Sequence, residues 1–172
     1  MTWKRVQQGQ QSCSMKKLKL DKTFSPCPVD EGDELFPNGI FVFNITKMIE
    51  YVRSNTGNIP VEGVTVADLP EKNASINWSH VDTTDVSLPI ILAEISPGRY
   101  NVIDGNHRVE KARRLGIQKV PAYRLTIPQH VRFLTDKKAY VSYIEYVNGK
   151  LKDMADIERY EASRGIGAKV KV

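Results

Sequence analysis

Apolar and polar residues fall into short blocks along the chain, and the period of each block separates strands from helices. Ile40–Phe43 is a brief apolar run that reads as a strand. Asn44 or Thr46 then caps a helix through about Ser54, with Ile45, Met48, Ile49 and Val52 on one face and Gly57 beyond its end. Val61–Val66 is valine-rich and alternating, hence β-like. Residues 68–87 are polar and turn-rich, with a short helix expected near Asp82–Val86. Leu88–Ile95, opened by Pro89, predicts a strong strand; Pro97-Gly98 turns the chain, and Tyr100–Ile103 returns as a second strand, making a hairpin. Asp104-Gly105 breaks that strand. A helix starts at Asn106 or His107, with Val109, Ala112 and Leu115 inward and Gly116 as its stop.

Lys119–Leu125 is a further strand, in which Pro121 indicates an edge position or a strand start. Pro128 opens a short helix carrying Val131, Phe133 and Leu134. Asp136 caps a longer one with Ala139, Tyr140, Tyr143, Ile144 and Val147 inward, which Asn148-Gly149 is expected to end. A final helix is expected over about Leu151–Ser163, with Leu151, Met154 and Ile157 on one side. The order predicts an α+β fold, a small mixed sheet with a strand–turn–helix–strand unit and C-terminal helices. The organisation expected is an irregular basic arm and loop over 1–38, a core over 39–126, C-terminal helices over 127–163 and a basic tail over 164–172.

A length of 172 residues fits one domain with modest extensions. No stretch approaches the 18 or more apolar residues of a membrane span. Met1–Leu20 is polar and basic, so a secretory signal is not expected. Two cysteines, Cys13 and Cys27, exclude a disulfide framework and a four-cysteine zinc site, and fit a cytoplasmic protein.

Charge changes the picture more than composition does. The formal net charge is +5, but it is unevenly spread: six bases face one acid over 1–22, three face eleven over 23–98, and seven face two over 99–124. A basic segment behind an acidic one attracts phosphate, on a nucleotide or along DNA. Solvated faces and loose tails account for the same pattern.

The segment that carries chemistry is Ile103-Asp104-Gly105-Asn106-His107-Arg108. The first N–H groups of a helix lack internal partners, and its dipole is positive there. Gly105 lets an anion approach the backbone. Arg108 offers a planar fork for phosphate oxygens, and Lys111, one turn on, reaches toward the same anion. His107 donates a hydrogen bond and is the candidate general acid–base, since imidazole exchanges protons near neutral pH. Together they form a phosphate cradle. In the plainer reading Asp104 is an N-cap, Gly105 a turn residue and His107 packed under the sheet. Neither G-x-x-x-x-G-K-[ST] nor G-x-G-x-x-G occurs, so no P-loop or Rossmann site is indicated.

This hexapeptide, with Ala112, Leu115-Gly116, Val120-Pro121 and the preceding Leu88–Leu92, resembles the signature box of the ParB/sulfiredoxin superfamily over about residues 86–125. The resemblance implies a nucleotide phosphate at Gly105, His107 and Arg108, with Asp104 beside them. Sulfiredoxins carry a catalytic cysteine where this chain has Asn106, so reduction of a sulfinic acid is not implied. Partition proteins continue into a helix-turn-helix domain, for which the tyrosine-rich helices here show no clear spacing. The Asp-Gly-Asn-His-Arg form is most similar to small stand-alone plasmid members, among them fertility-inhibition proteins, whose relatives are described as ATPases and DNases.

The implied activity is metal-assisted hydrolysis of a phosphate ester or anhydride, with ATP or another nucleotide and Mg2+ or Mn2+ as cofactors. Asp104, His107 and Arg108 are the catalytic candidates; Gly105, Asn106, His107, Arg108, Lys111, Thr83 and Thr84 would hold the nucleotide, and Asp104 and Asp82 the metal. His80 lies in the same segment, where a capped short helix with a solvated acidic face is the alternative. Glu94 faces either the pocket or solvent, and His130 reads as a helix-start residue rather than a ligand. The partners expected are a nucleotide, DNA through a non-specific basic surface that includes Lys16, Lys17 and Lys19, and a protein. The rival functions are a non-catalytic, anion-dependent inhibitor and a small-molecule kinase.

Overall fold

The computed structural model describes residues 16–70 and 78–164, with the side chains of Trp78 and His80 left aside. The first part of the expected arm, residues 71–77 and the end of the expected basic tail therefore lie outside the described residues, as does the His80 side chain.

The fold is α+β, with six strands in two sheets and five α-helices among the described residues. Strands β1 (Leu35–Asn38) and β2 (Phe41–Asn44) form an antiparallel hairpin. Helix α1 (Ile45–Ser54) follows directly, capped by the Asn44 side chain, which accepts from the Lys47 N–H at 3.0 Å. Then come β3 (Val61–Thr65), α2 (Trp78–Thr83), β4 (Ile90–Ser96), β5 (Arg99–Asp104), α3 (Asn106–Arg114), β6 (Lys119–Leu125), α4 (Ile127–His130) and α5 (Lys137–Ser163). The larger sheet has the order β3-β6-β4-β5. Only the β4–β6 pair is parallel, and α3 makes the crossover that leads to it.

Strand β4 is buried along its whole length because both sheet faces are covered. Its side chains alternate. Ile91 and Ala93 join one core with Phe43, Met48, Val52, Leu125, Tyr143 and Val147, while Ile90 and Leu92 join a second with Val102, Val109, Ala112 and Val120. Helices α1 and α5 thus cover one face, and α3 covers the other. The expected C-terminal helices are part of the same core as the sheet.

Several expectations change. Residues 35–38, placed in an irregular segment, are β1; Gly39, at φ +64°, makes the two-residue turn of its hairpin. Residues 16–27 are not loose: Leu18 exchanges two hydrogen bonds with the Asn148 side chain at 2.8 and 3.0 Å, and Phe24 stacks on Tyr140 at 3.8 Å. The short helix expected near 82–86 lies earlier, at α2. Leu115 is 62% exposed rather than inward, since α3 ends just before it.

Strand β6 lies inside the sheet despite Pro121. Pro121 faces Gly63 of β3, and pairing with β4 begins only at Ala122, so the proline sits where β6 has one neighbour. Asn148-Gly149 does not end a helix. Helix α5 runs unbroken for 27 residues, because Asn148 bonds to the arm instead of capping. No helix among the described residues is long and apolar enough to cross a membrane.

Candidate functional site

The first turn of α3 meets the end of β5 at Gly105, which has φ +93° and is the helix N-cap. A side chain there would be strained, and it would collide as well: a Cβ would lie 2.6 Å from Ile90 Cγ2 and 2.8 Å from Arg108 Nη2. The space over this glycine is therefore filled by Ile90 and the Arg108 guanidinium. The glycine contributes no capping side chain, which leaves the positive end of the helix to its main-chain N–H groups.

Arg108 folds back over that turn. Its Nη2 lies 2.9 Å from Asp104 Oδ2, an i,i+4 ion pair, with the arginine side chain 18% exposed and the aspartate 36%. The second face of the guanidinium differs: Arg108 Nε is buried and has no hydrogen-bond acceptor. A buried donor without a partner costs about 1–3 kcal/mol. Asp104, expected as a possible cap, binds the arginine instead.

Lys111 does not extend toward the turn. Its Nζ donates to the carbonyl oxygens of Asp82 and Thr84, both at 2.8 Å. These carbonyls close α2 at its C-terminal end, where a cation complements the helix dipole. The bonds tie the 82–84 segment to α3, and the lysine is engaged in holding it there. The Thr84 hydroxyl donates to the Val81 carbonyl at 2.9 Å, and Asp82 and Thr83 are exposed.

Asp85 was not anticipated. Its carboxylate accepts from the Ser87 hydroxyl at 2.7 Å and the Ser87 N–H at 2.9 Å. Those two donors hold it below the usual carboxylate range, and Lys111 and Arg108 lower it further. The Asp-x-Ser turn was the signal available in the sequence. The mouth of α3 is thus close to charge balance, with Arg108 and Lys111 facing Asp104 and Asp85.

The rest of the basic segment is also largely paired. Arg113 and Arg114 approach Glu110 at 3.9 and 3.6 Å, and Arg124 approaches Glu62 at 2.8 Å. Arg113 further donates to the carbonyls of Leu69 and Pro70. A cavity of about 590 Å³ opens at the other end of α3, lined by Val66, Leu69, Arg113, Ile117 and Gln118, well away from the Gly105 turn. Among the described residues no group of three or more His, Cys, Asp or Glu side chains is placed to hold a metal ion. A divalent cation would find Asp104 already paired and Asp82 exposed, a donor set that needs phosphate oxygens to complete it.

A second polar cluster occupies the far end of β4, and little in the residue pattern signals it. His130 is buried; its Nε2 lies 2.6 Å from the Glu94 carbonyl, and burial pushes its pKa down to about 4. Glu94 faces neither pocket nor solvent: Oε1 accepts from the Gly98 N–H at 2.9 Å and braces the β4–β5 turn. The Tyr143 hydroxyl donates to the Ile95 carbonyl at 3.0 Å, and burial pushes it up. These atoms bind backbone and serve the fold; His130 Nδ1, also buried, has no partner. Comparison with known protein families finds no family model that matches the chain, and comparison with curated proteins finds no match either.

Proposed function

We propose that the chain binds a nucleotide phosphate at the mouth of α3 and hydrolyses a phosphoanhydride or phosphodiester bond there, with magnesium or manganese arriving on the nucleotide. One observation carries this reading: Arg108 is held over a glycine-capped helix start with its buried Nε unpartnered. A phosphate oxygen would meet both the main-chain donors of Asn106 and His107 and a guanidinium that has bonding capacity left. The likeness of residues 86–125 to the ParB/sulfiredoxin box points the same way, and its plasmid members suggest fertility inhibition as the setting.

In this reading Gly105, Asn106 and His107 supply main-chain donors, and Arg108 stabilises the charge that develops on the phosphoryl group. Asp104 holds the guanidinium until phosphate competes for it, and then orients His107 or joins the cation with Asp82. His107 moves the proton. Thr83 and Thr84, tethered through Lys111, border the nucleotide. The exposed Lys16, Lys17, Lys19 and Lys22 lie along α5 and offer DNA a basic surface.

The Asp104–Arg108 ion pair and the sparse carboxylates favour a second reading, in which the nucleotide binds without turnover and shapes a surface for a protein partner. Purified chain mixed with ATP or plasmid DNA and either cation separates the two. Phosphate release or nicking that Arg108→Ala abolishes supports the enzyme. ATP binding that Arg108→Ala abolishes, with release and nicking at background, supports the binder. A chain that binds no nucleotide overturns both.

A further inference from the structure

Helix α5 outruns the body it packs against. Its first half buries Ala139, Tyr140, Tyr143, Ile144 and Val147. Its second half leaves Met154, Ile157 and Tyr160 exposed at 44%, 52% and 56%. Large apolar side chains on a regular helix, outside the core that justifies the helix, mark a contact surface. The spacing of the residues around them narrows what fits.

Lys150, Met154, Ile157 and Glu161 follow one another at i, i+4, i+7 and i+11, the spacing of a coiled-coil seam. The seam is apolar at its centre and carries opposite charges at its two ends. A second copy of the same helix, laid antiparallel about a two-fold axis between Met154 and Ile157, sets Met154 of each copy against Ile157 of the other. The same axis sets Lys150 of each copy against Glu161 of the other, twice over. Leu151 and Tyr160 border the seam and extend its apolar area. A parallel copy would instead place lysine on lysine and glutamate on glutamate. This surface complements itself in one orientation only, as an interface between identical partners requires.

We infer that the chain forms an antiparallel homodimer through the outer half of α5, centred on Met154 and Ile157 and fixed in register by Lys150–Glu161 pairs between copies. The α3 mouth lies on the other face of the sheet from α5, so each copy keeps its own candidate site.

Sedimentation of the full chain across a concentration range, at low salt, tests this. The chain should pass from monomer to dimer as concentration rises. Lys150→Glu and Glu161→Lys should each weaken the dimer by about tenfold, since each sets like charges against one another. The double exchange should restore it to within about threefold of the parent, because the pair is merely reversed. Ile157→Glu should abolish it, and circular dichroism of each variant shows whether α5 is intact. A chain that remains monomeric throughout overturns the inference, whatever other partner the stripe then takes. So do single charge variants that dimerise like the parent, or a double exchange no tighter than the singles.

Discussion

The two ends of β4 each gather a polar cluster, and the clusters differ in their access to solvent. At the far end His130 and Glu94 are 1% and 5% exposed; His130 Nε2 and Glu94 Oε1 meet backbone groups, while His130 Nδ1 is buried without a partner. At the near end Arg108 and Asp104 keep contact with solvent, and one guanidinium nitrogen has no acceptor. Each cluster therefore holds one buried nitrogen without a partner, and what separates them is access: the first is sealed from solvent and the second borders it. A histidine alone does not tell them apart, since both clusters contain one, and neither does an unmet hydrogen bond; burial does.

Acid should break the closed cluster first. An unfolded imidazole takes up its proton near pH 6.5, whereas folded His130 does so only near 4. Between those values the unfolded chain binds more protons, so stability should fall as pH drops from about 6.5 to about 4, by up to about 3 kcal/mol. Urea titrations at several pH values measure this. His130→Ala should flatten the dependence and itself cost about 3 kcal/mol, through the cavity and the orphaned Glu94 carbonyl. ATP binding by the folded fraction should be unchanged; a loss would join the two clusters into one site.

At the open end Gly105→Ala should cost about 2 kcal/mol, from the strained φ and the collision with Ile90. It should also push Arg108 aside, so that a fall in melting temperature is accompanied by lost ATP binding. The smallest change sharpens the comparison most. Asp104→Asn should alter stability by less than about 1 kcal/mol, the usual worth of such a pair. Freed from its carboxylate, Arg108 should then bind ATP several-fold more tightly, read by calorimetry. Weaker binding instead would mean that Asp104 positions the arginine rather than competing for it.

The turn at Gly105 was legible because it is written in local chemistry: an apolar strand, a glycine that only positive φ explains, then an amphipathic helix. Asn44 as a cap and Gly116 as a stop were legible for the same reason. What the sequence concealed was set by distant partners. Lys111 reads as an anion ligand until the α2 carbonyls are placed beside it. The i,i+4 spacing of Asp104 and Arg108 was visible, but whether the carboxylate or a phosphate claims the guanidinium depends on burial. Asn148-Gly149 has the composition of a helix stop, and the arm at Leu18 removes the asparagine from that role. Pro121 argued for an edge, and the stagger between β3 and β4 gives it one within an inner strand.

The unbroken passage of α5 through Gly149 has a mechanical consequence. Glycine is about 1 kcal/mol less favourable than alanine within a helix, and here it marks the junction between turns clamped by the sheet and turns in open water. The rod is softest at that joint. Its outer turns can fray and reform on their own, leaving the Tyr143 anchor on β4 undisturbed, so whatever they grasp can be taken up and released while the domain beneath stays folded.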